Sequence, residues 1–143
     1  MRHFTILFLC CFVLGFSQKY SKQEKAFLMQ AKRLDSLMQN NDSNILNLFA
    51  KDVSFGHSNG WVQNFEDFKK DFNSKKVMYS NIEQIEIYEA KKYKNVYSIR
   101  RKIKVSGIYK NQNFEMILGL LEIWKKEKSV WKLWSRQSIE IKP

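Results

Sequence analysis

From Ser21 to Asn40 the apolar residues Phe27, Leu28, Ala31, Leu34, Leu37 and Met38 recur at steps of three and four. That spacing places them on one face of a helix. Ser21 and Glu24 stand at capping-box spacing ahead of it, and Asn40-Asn41-Asp42 ends it. A shorter helix is predicted next, capped by Asp42 or Ser43, with Ile45, Leu46, Leu48 and Phe49 on its buried side. Val53-Ser54-Phe55-Gly56-His57 alternates as a strand, His57 to Gly60 reads as a turn, and Trp61-Val62-Gln63 can pair back. Asn64 caps a third short helix that carries Phe65, Phe68 and Phe72 on one side.

The remaining pattern predicts four strands. The first runs from about Met78 to Glu89 with Ile82, Ile85 and Ile87, and its period breaks near Glu83-Gln84, as at a bulge. Val96 to Gly107 alternates cleanly, with Tyr97, Ile99, Arg101, Ile103 and Val105 on one face and Arg100, Lys102 and Lys104 on the other. Phe114 to Lys125 is apolar on both faces and reads as the central strand. Val130 to Ile141 closes the sheet, with Trp131, Leu133, Ser135, Gln137 and Ile139 opposing Lys132, Trp134, Arg136 and Ser138. Turns are expected over 91–95, 110–113 and 126–129. Two helices, a short strand pair, a helix and four long strands make an α+β plan. Its cone-shaped, curved and mostly antiparallel sheet carries the N-terminal helices on the concave face.

The start of the chain follows a different rule. Met1-Arg2-His3 is basic, Phe4 to Phe16 holds no charge, and Gly15-Phe16-Ser17 precedes a polar stretch. That order is a secretory signal peptide over 1–17, and it falls short of the roughly 20 apolar residues that a membrane span needs. Cys10 and Cys11 sit inside the apolar run rather than at its end, so they do not mark a lipidation site. Cleavage between Ser17 and Gln18 would leave one domain over 18–143, exported to the periplasm or secreted, without a disulfide, a thiolate or a membrane span. The whole chain of 143 residues has a formal charge of +11 and is 44% apolar, a globular composition rather than a disordered one.

At this point the sequence resembles a family. Ala50-Lys51-Asp52-Val53-Ser54-Phe55-Gly56-His57-Ser58-Asn59-Gly60 is similar to the opening strand and turn of the nuclear transport factor 2-like, or SnoaL-like, proteins. Leu121-Glu122-Ile123-Trp124, Trp131-Lys132-Leu133 and Gln137-Ser138 resemble their closing strands, and the likeness spans essentially all of 21–143. The resemblance implies a cone cavity onto which the position of His57 opens. It implies little about activity, because the fold hosts isomerases, cyclases, dehydratases and binding domains.

Six residues form the candidate ligand pocket. His57 shares strand parity with Val53 and Phe55, so it faces the helices, as a base, a ligand-orienting donor or a satisfied core imidazole. Arg101 and Gln137 fall on apolar parities. An arginine there either pairs with an acid, for which Glu122 is one candidate, or reaches a wet cavity or the edge of the barrel. Trp61 and Tyr79 stand where they could close the mouth. Metal is not expected, since the other histidine, His3, leaves with the leader, and neither a phosphate loop nor any cofactor motif is present. Isomerase chemistry of the kind this fold supports needs a buried carboxylate opposite a Tyr and a protonated Asp, and only Glu122 could serve.

Three functions follow. A small domain that binds an apolar or amphipathic small molecule without turnover leads. An enzyme of the isomerase, cyclase or dehydratase type, with His57 as acid or base, is the alternative. The third is polyanion binding on an outer face built from Arg100, Lys102, Lys104, Lys132, Trp134 and Arg136. A solvated face, or a homodimer packed through the sheet over Trp134, is preferred there, and no nucleic-acid partner is expected for an exported chain.

Overall fold

Ser21 opens the first helix by the reciprocal contacts its spacing predicts. Its hydroxyl accepts from the Glu24 N–H at 3.2 Å, while the Glu24 carboxylate accepts from the Ser21 N–H at 2.7 Å. The computed structural model describes residues 21–142, so the expected leader over 1–17 and its cleavage point lie outside the described residues. Helix α1 (Lys22–Gln39) buries Phe27, Ala31, Leu34 and Met38. A 3-10 turn over Ser43–Leu48 replaces the second predicted helix, with Asp42 accepting from the Asn44 N–H at 2.9 Å. Six residues suffice to bury Ile45 and Leu48 but not for a full α-helix, and the tighter winding meets the next strand directly.

Strands β1 (Phe49–Gly56) and β2 (Val62–Gln63) precede helix α2 (Phe65–Asn73), which Asn64 caps by accepting from the Asp67 N–H at 2.9 Å. The long strands are β3 (Val77–Tyr93), β4 (Val96–Tyr109), β5 (Gln112–Glu127) and β6 (Val130–Glu140). They form one six-stranded sheet in the order β2-β1-β6-β5-β4-β3, antiparallel except where β1 runs parallel to β6. The fold class is therefore the expected α+β cone.

The hairpins are tighter than the sequence suggested. Pairing runs up to Tyr93↔Val96 and Tyr109↔Gln112, leaving two-residue turns with Lys94, Lys110 and Asn111 at positive φ. At these ends both strand faces are wet, so side-chain alternation carries no signal although the backbone ladder continues.

Bulges give the sheet its curvature and account for the displaced side chains. Strand β3 shifts register between Tyr79 and Asn81, Gln84 and Glu86, and Ile87 and Glu89. The predicted break is the middle one. It turns Ile85 outward, 46% exposed, correcting its expected place beside Ile82 and Ile87. Gly107 sits opposite the first bulge, where a Cβ would lie 2.2 Å from the Met78 carbonyl oxygen. A further shift pairs Ile123 with Ser135 but Trp124 with Leu133, leaving Trp134 as the extra residue of β6. Beyond it the inward parity passes from Gln137 and Ile139 to Arg136 and Ser138.

The interior is tiered. At one end Phe27 stacks on Tyr97 at 4.2 Å, with Trp124 and Trp131 edge-on to Phe27 at 6.0 Å. An ionic layer comes next along β4 and β5, at Arg101 and Glu122. Beyond it Ile103, Val105, Leu118 and Leu120 form a second apolar cluster.

Candidate functional site

The ionic layer consists of four buried charged side chains. Strand parity turns Arg101 of β4 and Glu122 of β5 inward, and α1 supplies Asp35 from the face that holds Ala31 and Met38. Arg101 donates from Nε and Nη2 to the two Glu122 oxygens at 3.2 and 2.8 Å. It also donates from Nη2 to Asp35 Oδ1 at 2.8 Å and from Nη1 to Asp35 Oδ2. The indole of Trp124 lies 3.5 Å from Glu122 Oε2. Burial raises the Glu122 carboxyl, but Arg101 and then Arg136 outweigh it and hold the group below its usual range. Burial likewise raises Asp35, and there Arg101 compensates only in part, leaving it above its usual range.

Arg136 is the fourth member. It sits directly across the β5–β6 ladder from Glu122 and is 5% exposed. Its guanidinium lies over the Phe55 ring, 4.7 Å from the centroid, and its Nε has no hydrogen-bond partner. All four carboxylate oxygens of the layer already accept from Arg101. Among the described residues no carboxylate forms an ion pair with Arg136.

Arg136 borders a cavity of about 320 Å³ at the open end of the cone. Met38, Phe55, Phe68, Tyr79, Phe114 and Met116 supply much of its apolar wall. Burial pushes the Tyr79 phenol up, so it stands as a neutral hydroxyl.

A polar chain occupies one corner of this cavity. His57 Nε2 is 2.7 Å from Gln63 Oε1, the Gln63 amide donates to Asp71 Oδ2 at 3.0 Å, and Lys76 donates to the same oxygen at 2.8 Å. A carboxylate only accepts, so Asp71 fixes the Gln63 amide with its oxygen toward His57. His57 then donates from Nε2, and in the neutral ring Nδ1 is the acceptor. The imidazole is held between Phe55, edge-on at 5.2 Å, and Trp61, stacked at 5.0 Å and itself 44% exposed. The backbone N–H of His57 donates to the Trp61 oxygen at 2.8 Å, closing a turn in which Gly60 takes φ 86°.

Burial lowers the His57 pKa, the Gln63 contact opposes this, and Arg136 and Lys76 add to the lowering against Asp71. A depressed folded-state value means that the fold favours the neutral ring. That stability is complete above the unfolded value, about 6.5, and is lost as pH falls from there through the folded value. Urea midpoints at about pH 7.5 and about pH 5 check this. The wild type should lose more stability on acidification than His57→Gln, and equal losses would refute it.

Of the six candidates, the cavity brings together His57, Trp61 and Tyr79. Arg101 and Glu122 do meet each other, as the pairing alternative held, but in the ionic layer rather than at the cavity surface. Gln137 is placed outside. The Trp134 bulge turns it to the outer face, where its amide donates to the His57 oxygen at 3.1 Å and the Ser138 oxygen at 2.9 Å. The same bulge takes Arg136 from the outer basic face into the interior. On that face Lys104 pairs with Glu115 at 2.9 Å, Lys132 donates to the Asn47 carbonyl, and Trp134 donates to Asp52 at 3.0 Å.

Arg136, Ser138, Gln63, Asp71 and Asp35 are the residues that sequence reasoning missed. Asp35 was legible as a lone carboxylate on the Phe27–Ala31–Met38 face. Arg136 and Ser138 were hidden by a bulge that leaves no mark in composition.

Several solved structures share this architecture. An NTF2-like protein from Cytophaga hutchinsonii superposes with a TM-score of 0.79 at 20% identity, covering 85% of this chain and 100% of that one. An NTF2-like protein of unknown function in nutrient uptake from Rhodospirillum rubrum gives 0.76 at 18% identity, over 81% and 98% of the two chains. A third NTF2-like protein of unknown function, from Prochlorococcus marinus, gives 0.70 at 16% identity, over 87% and 96%. The chain therefore has the nuclear transport factor 2-like fold. No protein-family model and no curated protein sequence matches it.

Proposed function

We propose that this domain binds a small amphipathic molecule in the cone cavity and releases it unchanged. The observation that carries this reading is the cavity itself, an apolar chamber of about 320 Å³ with polar groups gathered at one corner beside Trp61. Its size falls within the range of small-molecule sites, and its lining follows their usual division of apolar wall and few polar groups. The alternative, acid–base catalysis by His57, draws on the Gln63–Asp71 chain that orients the ring and makes Nδ1 its acceptor. Binding is favoured because general acid–base work needs a second group of matched pKa facing the first. Among the described cavity residues the carboxylate is Asp71, and it is already held by Lys76 and Gln63.

Calorimetric titration with decanol, a neutral amphiphile, tests the reading. Wild-type protein should bind it and show a Tm that climbs with its concentration. Met116→Trp, which fills the chamber, should do neither while remaining folded. No binding to the wild type, or equal binding to the filled variant, would overturn the proposal, as would chemical conversion of the probe.

A further inference from the structure

We infer that the ligand is a monoanionic carboxylate with an apolar body, held by the guanidinium of Arg136. This rests on the cavity reading above and names the class of molecule that the cavity takes.

A buried arginine is ordinarily matched by an acid, because an uncompensated charge in an apolar interior is costly. The interior of this cone holds two arginines and two carboxylates, yet they are not shared evenly. Arg101 takes every oxygen of both Asp35 and Glu122. Arg136 is left with an aromatic face beneath it and a buried Nε that donates to nothing. It also borders the cavity. Nε itself is closed off even from water, so an acceptor from the chamber would meet the guanidinium at its terminal nitrogens, which form no ion pair with a carboxylate among the described residues.

The surroundings narrow the chemistry. A guanidinium offers a planar fork that matches the two oxygens of a carboxylate. Glu122, across the ladder from Arg136, is held anionic, so a second negative charge on the ligand would meet repulsion there. One negative charge fits and two do not. At the mouth Lys76 is committed to Asp71, which leaves Arg136 as the cation open to a ligand among the described cavity residues. The rest of the wall is apolar and requires an apolar body. At the roughly 30 Å³ that a water takes in the liquid, a chamber of about 320 Å³ corresponds to about eleven non-hydrogen atoms, the size of a medium-chain fatty acid or a small aryl-alkanoic acid.

The test compares decanoate, decanol and decyltrimethylammonium, which share one tail and differ in head charge. Wild-type protein should bind decanoate about 10–100-fold more tightly than decanol and bind the cation least, the margin expected of charge-assisted hydrogen bonds. Arg136→Met should reduce decanoate to the level of decanol without weakening decanol. Arg136→Lys, which keeps the charge and loses the fork, should fall between them.

The ligand-free Tm of Arg136→Met gives a second readout. Removing a charge that has no ion-paired acid, and that only assists Arg101 in holding Glu122 anionic, should change it little or raise it. A marked fall would make Arg136 a structural partner of Glu122 and overturn the inference. Equal affinity for decanoate and decanol, or a preference that survives Arg136→Met, would overturn it too while leaving the cavity reading intact. Failure of all three probes to bind the wild type would remove both.

Discussion

Replacing Arg101 with Met is expected to cost about 3–5 kcal/mol of folding stability, read from urea denaturation at neutral pH. The Arg101 side chain is fully buried, Glu122 is fully buried, and the Asp35 side chain is 11% exposed. Without the guanidinium, two carboxylates remain in an apolar layer with the Trp124 indole and the neighbouring charge of Arg136, which hydrogen-bonds to neither, as their surroundings. Each must then be desolvated unpaired or take up a proton. A loss below about 1 kcal/mol would mean that water reaches the layer and that the contacts behave as a surface pair.

The same reasoning predicts a rescue. Changing Asp35 and Glu122 to Leu alongside Arg101→Met removes both stranded charges and should recover most of the loss, since a buried ion cluster is often replaceable by apolar residues of similar volume. Recovery should be fuller when Arg136→Met is added, because Arg136 otherwise stays behind as the remaining charge of the layer.

Where the chain repeats a period, the structure could be read from it. The face of α1, the alternation of β4 and the caps Ser21 and Asn64 all follow from local spacing, and spacing alone decides which way those side chains point. The limits lie where one extra residue breaks the count. At Trp134 the ladder absorbs a bulge, and every inward assignment after it changes sides, so unbroken alternation puts Gln137 in the lining and Arg136 on the surface. Nothing in the run Trp131-Lys132-Leu133-Trp134-Ser135 marks this in advance, because both parities carry an indole. The bulge is set by the partner strand and by the curvature of the sheet, which are tertiary facts. Glu122 was ambiguous for a related reason. β5 turns fully buried residues to one face and half-buried, largely apolar residues to the other, so its pattern cannot say which face is which. The His57–Gln63–Asp71 chain was out of reach in a third way. It joins a strand end, a two-residue strand and a helix, and the sequence shows no periodic relation among them.

Trp124→Ala is the other large expected loss, about 3–5 kcal/mol. The indole is fully buried, meets Phe27 edge-on at 6.0 Å, and separates the aromatic end of the cone from the ionic layer. Truncation would remove the ring contacts and open a void against Glu122. Trp124→Phe keeps a ring in place and should cost less, about 1–2 kcal/mol. The Nε1 contact to Glu122 that it forfeits is 3.5 Å long, at the weak end of hydrogen bonding. The informative measurement is the cycle that joins Trp124→Phe with Arg101→Met. Both act on Glu122, one by loosening the packing over it and the other by removing its counter-charge, so their effects should not add. Loosened packing lets water reach Glu122 and solvate its charge, which lessens the cost of leaving that charge without Arg101. The double variant should therefore lose less than the two singles together, by about 0.5 kcal/mol or more. Strict additivity would show that the aromatic end and the ionic layer are energetically separate. Arg101 and Arg136 would then hold Glu122 low against a burial that the Trp124 ring does not alter.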